Sequence, residues 1–363
     1  MTEKEYLYLI SHTKGIGPVT IHQWKEYFHS FREIWEASDQ TLLASGLFSE
    51  KKLEAFRVCK NLETEYRKEY EKLSGERIRY ITYMDEEYPE RLQFYRDKPP
   101  ALFVKGKIPD DHAPTVAIVG ARNCTSYGRD VAEHLAGELA RAGVSVISGL
   151  ALGVDGAAHR GCLNAGGETY GVLGCGVNIC YPKENFRLFS AVEEHGGILS
   201  EFLPGTMPLQ MHFPMRNRII SGLADAVIIT EAREKSGSLI TGDLALEQGK
   251  EVFAIPGRIT DTLSAGCNRL IRMGAAICLG PEDVISFFGM KYHKKWRENK
   301  ISEKPLAKKE KLVYSFIDSR PKSLEEIVTF CQMPVSEALE SLMTLEMAGL
   351  IQSEGNQYYC RKM

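Results

Sequence analysis

Between Val116 and Gly257 the apolar runs end, one after another, in glycine, serine or arginine. The sites are Val116-Ala-Ile-Val-Gly-Ala-Arg122, Val146-Ile-Ser-Gly149, Val172-Leu-Gly-Cys-Gly176, Arg216-Asn-Arg218 and Ser236-Gly-Ser238. An open α/β sheet binds its ligand outside the carboxyl ends of its strands. Small residues there leave the N–H groups of the next helix open to an anion. Gly120 and Arg122 follow one strand, and the Arg122 guanidinium is placed to fork onto a phosphate. Ser126 and Gly128 stand at the start of the next helix. Ser148 with Gly149, and Gly174 with Gly176, repeat the device on two further strands. Lys183 and Asn185, in Tyr181-Pro-Lys-Glu-Asn185, add a cation and an amide, and Phe186 offers a ring for stacking. Arg216 and Arg218 straddle Asn217 at a helix start. A mononucleotide needs one or two such devices, whereas several side by side suit a chain of phosphates with unpaired bases on aromatic rings.

Each residue also has a structural reading. The glycines fit tight βα turns, Arg216 and Arg218 fit internal ion pairs, and Phe186 fits a core. Asp155 and His159, four apart on one helix face, suit an acid/base couple. Equally, they suit a capping carboxylate and a hydrogen-bonded imidazole. A nicotinamide dinucleotide is disfavoured. The turn from Gly120 to Gly128 is not GxGxxG, and the second strand ends in Ser148-Gly149 where a ribose-binding acid is required. No GxxxxGK[ST] loop occurs. The nine cysteines form no CxxC pair and lack histidines at ligand spacing, so no metal and no cofactor is expected.

Helices and strands must alternate to position these ends. Strands are predicted at 77–83, 101–104, 115–119, 144–147, 169–173, 198–201, 226–230 and 252–255. Helices fall between them, at 127–142, 155–165, 185–195, from 216 and at 238–248, several closed by glycine. That alternation predicts an α/β, doubly wound parallel sheet. With 363 residues the chain suits two or three domains. We expect a helical domain over 1–75, the sheet domain over 76–290, a basic linker over 291–308 and a small helical domain over 309–363. Lys291–Lys311 carries nine Lys or Arg against three Glu. Net charge is −3, so affinity for nucleic acid must come from a local patch. The first residues lack a signal-peptide pattern, no apolar run reaches membrane length, and the thiols suit a reducing compartment; a cytoplasmic location without membrane contact is expected.

Several of these segments together resemble one family. They are Val119-Gly-Ala-Arg122 with Ser126-Tyr-Gly128, then Ser148-Gly-Leu-Ala-Leu-Gly-Val-Asp-Gly-Ala-Ala-His159. Val172-Leu-Gly-Cys-Gly-Val-Asn178 follows with Tyr181-Pro-Lys-Glu-Asn185, then Phe213-Pro-Met-Arg-Asn-Arg-Ile-Ile220. Ser236-Gly-Ser-Leu-Ile-Thr241 and Val252-Phe-Ala-Ile-Pro-Gly257 complete the set. The pattern is similar to the DNA-processing protein A family, DprA or Smf, from about Ile81 to Gly280. The resemblance implies an extended Rossmann fold that binds single-stranded DNA, a homodimer, and loading of the RecA recombinase during natural transformation, without catalysis. It also implies phosphate contacts at Arg122, Lys183 and the Gly/Ser turns, and a base-stacking position near Phe186. Gly242 departs from the family, where an alanine is usual.

The flanks follow the same comparison. Gly15-Ile-Gly-Pro18 and Leu42-Leu-Ala-Ser-Gly46 are similar to helix–hairpin–helix turns or to the family's SAM-like domain. Residues 310–359 read as three helices and a hairpin turning at Gly355-Asn356, and so resemble a winged helix. Its third helix carries Glu337, Glu340 and Glu346 and no basic residue, which disfavours reading DNA and favours a protein partner. A rival reading is a nucleotide hydrolase of the phosphoribohydrolase type, using Asp155, His159 and Glu231. The Pro-Gly-Gly-x-Gly-Thr loop of those enzymes is missing, and Ser236-Gly-Ser238 is a partial analogue. The dimer surface is expected within 262–288, including an apolar strand at 276–279.

Overall fold

The computed structural model describes residues 1–290, 306–318, 321–355 and 357–361. The described residues form two compact units, Met1–Cys124 with Ala132–Met290, and Thr125–Val131 with the described residues beyond 290.

The first unit opens with six helices: α1 (Glu3–Ser11), α2 (Pro18–Phe28), α3 (Phe31–Glu36), α4 (Asp39–Ala44), α5 (Glu50–Asn61) and α6 (Glu63–Gly75). Most begin with the hydroxyl caps their sequences offer. Thr2 closes a capping box on Glu5, and Ser30, Ser38 and Ser49 accept from amides three residues on. Pro18 starts α2, where its missing N–H costs nothing. Their core holds Trp24, Phe31, Leu42, Leu53 and Phe56, with Trp24 stacked on Phe48 at 4.0 Å between ring centres. Tyr8 and Leu73 reach into a further cluster with Phe103 and Ile198 of the sheet. Residues 1–75 are thus packed into the same unit as the sheet.

The sheet elements follow in order. They are β1 (Arg79–Thr82), α7 (Glu90–Gln93), β2 (Ala101–Gly106), β3 (Thr115–Val119), α8 (Ser126–Arg141), β4 (Ser145–Ser148), α9 (Val154–Asn164), β5 (Thr169–Val172), α10 (Phe186–His195), β6 (Gly197–Ser200), α11 (His212–Leu223), β7 (Ala226–Ile229), α12 (Gly237–Glu247), β8 (Glu251–Ala254), α13 (Ala265–Arg272), β9 (Ala276–Ile277) and α14 (Pro281–Phe287). Nine strands lie in the order β1-β2-β6-β5-β4-β3-β7-β8-β9. From β6 to β9 every pairing is parallel. The expected doubly wound sheet is extended at one edge by two antiparallel pairings that the sequence reading did not assign: β1 with β2, and β2 with β6. Their connection holds a one-turn helix, too little for a parallel crossover. Buried strands such as β3, β5 and β7 are covered on both faces, as their continuous apolar runs require. The chain leaves β3 toward β4 and later returns on its other side as β7. The strand order therefore reverses at β3, and the carboxyl ends of β3 and β7 open onto the crevice such a reversal creates.

In the second unit α15 (Lys308–Phe316), β10 (Lys322–Ser323), α16 (Leu324–Cys331), α17 (Val335–Met347), β11 (Ile351–Gly355) and β12 (Tyr358–Arg361) build a winged helix, with the small sheet ordered β10-β12-β11. Val313, Ile327, Leu342, Leu345 and Ile351 form its core. Ser323 and Glu326 cap α16 reciprocally. The strand β10, absent from the sequence reading, is two residues long. The expected linker lies outside the described residues up to 305, as does Asn356 of the expected turn. Among the described residues no helix is long and apolar enough to cross a membrane.

Candidate nucleic-acid interface

A crevice of about 860 Å³ opens at the ends of β3 and β7. Its β3 side begins with Gly120, where a side chain would lie 2.7 Å from Val154 of α9. The glycine lets strand and helix close up. Arg122 emerges exposed from the turn, its guanidinium 4.8 Å above the Phe213 ring. Phe213 in turn stacks with Tyr181 at 5.7 Å. A smaller hollow beside the crevice is lined by Arg122, Tyr181, Phe213 and Arg216.

Arg216 is the most informative residue of the site. It is 4% exposed, yet lines both the crevice and the hollow. Its Nη1 donates to the Gly149 carbonyl at 2.8 Å and to the Val172 carbonyl, and its Nε to Asn217 Oδ1 at 3.2 Å. Among the described residues Nη2 has no partner and no carboxylate touches the guanidinium. Asp155 acts on it through space, while accepting from the Gly149 amide at 3.1 Å and from the Ala151 amide. Burial lowers the Arg216 pKa to about 10, which leaves it cationic at neutral pH. The same burial raises that of Asp155. A buried cation without a contacting counter-ion is costly unless a ligand completes it.

Asn217 also lines the crevice and donates to the Gly237 carbonyl at 3.2 Å. Arg218 does not line it: it pairs with Glu201, and with Asp97 at 3.4 Å. Its expected role at a phosphate is corrected on that ground. The row of free amides is corrected as well. Ser148 is fully buried and donates its hydroxyl to the Ile118 carbonyl at 2.6 Å. The Gly149 amide is taken by Asp155. At Gly174 and Gly176 the missing Cβ makes room for Phe213 and for the 203–206 loop, and the Gly176 amide donates to Thr206. These glycines serve close packing.

Lys183 is exposed on the neighbouring loop, and Phe186, the first residue of α10, is 65% exposed. Asn185 fastens that loop: its Nδ2 donates to the carbonyls of Leu150 and Ala151 at 2.9 and 3.1 Å. Ser126 and Gly128 belong to the other unit, where Ser126 is buried and the Gly128 amide donates to Thr125 Oγ1 at 3.0 Å.

Sequence reasoning missed Arg233 and Lys235, which line the β7 side of the crevice before Ser236 caps α12. Both are exposed, and neither pairs with a carboxylate among the described residues. Their signal was two basic residues between a strand end and a helix cap. The Asp155–His159 couple is not assembled. His159 is fully buried, its Nδ1 bonded to Thr169 Oγ1 at 2.7 Å, and burial lowers its pKa to about 3. It therefore stays neutral and out of reach of solvent.

Comparison with known proteins agrees with this architecture. The family model described as DNA recombination-mediator protein A matches residues 79–289, and that of the DprA winged helix domain matches 299–357. DNA processing protein DprA of Bacillus subtilis is 44% identical over 208 residues, 57% of this chain and 70% of that protein. The X-ray structure of DprA from Streptococcus pneumoniae superposes with a TM-score of 0.68 at 34% identity, covering 81% of this chain and 99% of the other. A Helicobacter pylori DprA structure, described by its single-stranded DNA binding mode, gives 0.53 at 33% identity over 59% of this chain and 98% of the other.

Proposed function

Because the chain belongs to the DNA recombination-mediator protein A family, we propose that it binds single-stranded DNA along the crevice at β3 and β7 and performs no reaction on it. The carrying observation is the buried Arg216, which lines the crevice and whose Nη2 has neither a hydrogen-bond partner nor a contacting carboxylate among the described residues. A backbone phosphate there completes its hydrogen bonds and its charge. Arg122 supplies a second fork at the rim. Lys183 and Phe186, held out by Asn185, continue the track with a cation and a stacking ring. Gly120 and Asn217 shape and hold the same crevice. Arg122→Glu abolishes retention of a single-stranded oligonucleotide in a gel shift, and wild-type binding weakens steeply with salt. Unchanged retention by the folded variant overturns the reading. The hydrolase alternative is separated by incubation with nucleoside monophosphates, where release of free base favours it.

The resemblance carries the rest. We infer that the bound strand is handed to the RecA recombinase in natural transformation, in the cytoplasm. A strand-exchange assay in which the protein fails to speed RecA assembly on DNA contradicts the first part. A homodimer is supported by the outer strand β9 and its apolar surroundings: Met273, Ile277 and Leu279 are 62%, 49% and 81% exposed. Light scattering that finds a monomer at micromolar concentration rules it out. The winged helix presents Glu340 and Glu346 with exposed Met343 and Met347 on α17, a surface that repels phosphate and suits a protein.

A further inference from the structure

The β7 side of the crevice has chemistry that a DNA backbone alone does not account for. Helix α12 runs for 11 residues and begins at the crevice wall. Ser236 and Ser238 share a hydrogen bond at 2.8 Å, and nothing stands within 4 Å of where a Gly237 side chain would be. The space beside Gly237 is therefore open to approach, while the Ser236 hydroxyl accepts from the Ser238 amide at 3.4 Å. Two further observations point to a ligand. Thr241, one turn on, is 1% exposed and lines the crevice, and its hydroxyl makes no hydrogen bond to another described residue. Arg233 and Lys235 flank the same helix end and pair with no carboxylate among the described residues. Two cations, a helix N-terminus and several hydroxyls exceed what one diester needs, with its single charge and two free oxygens. They match a phosphate monoester, with up to two charges and three free oxygens. The crevice volume of about 860 Å³ leaves room for the attached nucleoside.

We propose that the Ser236–Thr241 end of α12, with Arg233 and Lys235, is a subsite for a terminal phosphate monoester. The group is carried either by the 5′-phosphorylated end of a single strand or by a free nucleoside monophosphate. The proposal rests on the crevice being a polynucleotide site, and the test separates the two ideas. Full-length protein is titrated by anisotropy with oligonucleotides labelled at the 3′ end, identical except for a 5′-phosphate or a 5′-hydroxyl. Deoxyadenosine monophosphate and inorganic phosphate are titrated by calorimetry.

A 5′-phosphate tightens binding about 5- to 10-fold, and the ratio falls to about 1 in Lys235→Ala and in Thr241→Val. That outcome identifies the strand end as the source. Equal oligonucleotide affinities, with monophosphate binding that both variants lose, identify the free nucleotide. If neither preference nor monophosphate binding appears while the 5′-hydroxyl strand still binds, the subsite is refuted and the DNA reading stands. A 5′-phosphate gain that survives in both folded variants refutes its placement at α12. Failure to bind any oligonucleotide removes both ideas together.

Discussion

Gly149→Ala tests whether Arg216 is held where a phosphate needs it. The added carbon would lie 2.5 Å from both Nη atoms of Arg216. A carbon and a nitrogen settle near 3.5 Å, so the guanidinium must retreat by about 1 Å. Its 2.8 Å bond to the Gly149 carbonyl then stretches to about 3.8 Å and is lost. The bond to Val172 is strained with it. One hydrogen bond to a charged group contributes about 1.5–3 kcal/mol, and overpacking adds about 1–3 kcal/mol. A destabilisation of about 3 kcal/mol follows, or about 6–12 °C in Tm. Withdrawing the guanidinium from the crevice removes a comparable charged contact in the proposed complex, about 10- to 100-fold in affinity. Scanning fluorimetry reads the first effect, and anisotropy on single-stranded DNA well below the new Tm reads the second. If the variant melts lower but binds DNA as tightly as wild type, Arg216 is a structural cation and no ligand of the strand. If neither quantity moves, the packing around Gly149 is wrong.

Three further outcomes follow from particular contacts. Gly242→Ala stabilises the protein by about 0.5–1 kcal/mol in denaturant titration, because Gly242 sits inside α12 and the nearest atoms to an added Cβ, on Ile229 and Leu270, are 3.8 Å away. A loss of stability would contradict that spacing. Arg218→Met destabilises by about 3–5 kcal/mol, since it strands the buried Glu201 carboxylate, while DNA affinity per folded molecule stays unchanged; a selective loss of affinity would return Arg218 to the interface. His159 gives an acid-sensitive term. Its folded pKa, about 3, lies below the unfolded value of about 6.5, so the unfolded chain takes up the proton first. Its contribution is complete above pH 6.5 and declines as pH falls toward 3, reaching about 2 kcal/mol lost at pH 5. His159→Gln flattens the fall in Tm between pH 7 and pH 5, and equal slopes in the two proteins would refute the assignment.

The sheet was legible because its strands are buried on both faces and its helices end in glycine. Nearly every strand from β3 to β8 falls where the apolar runs place it. The antiparallel edge was not legible, since the direction of β1 and β2 depends on which strand they meet and not on their own pattern. At the site, the structure places Arg122 on the crevice wall, as expected of a charged residue just after a buried strand. Ser148, Gly174 and Gly176 were misread because a small residue at a strand end has two causes that look alike in sequence. It exposes an amide, or it admits a neighbour, and only the neighbours Ile118, Phe213 and Leu203 decide between them.

The pair on α11 shows where a stricter reading was available. Residues two apart on a helix point about 200° away from each other. Arg216 and Arg218 therefore cannot both face one crevice, and the spacing alone required one to turn elsewhere. Which one turns is set by acids distant in sequence: Glu201, at the end of β6, and Asp97 take Arg218. Asp155 spends its oxygens on the amides of Gly149 and Ala151 and makes no direct contact with Arg216. A chain of net charge −3 can thus keep a strongly anion-seeking point. In the proposed complex the affinity depends less on how many basic residues the molecule carries than on one guanidinium that the fold has dehydrated, fixed and left without a contacting carboxylate beside open space.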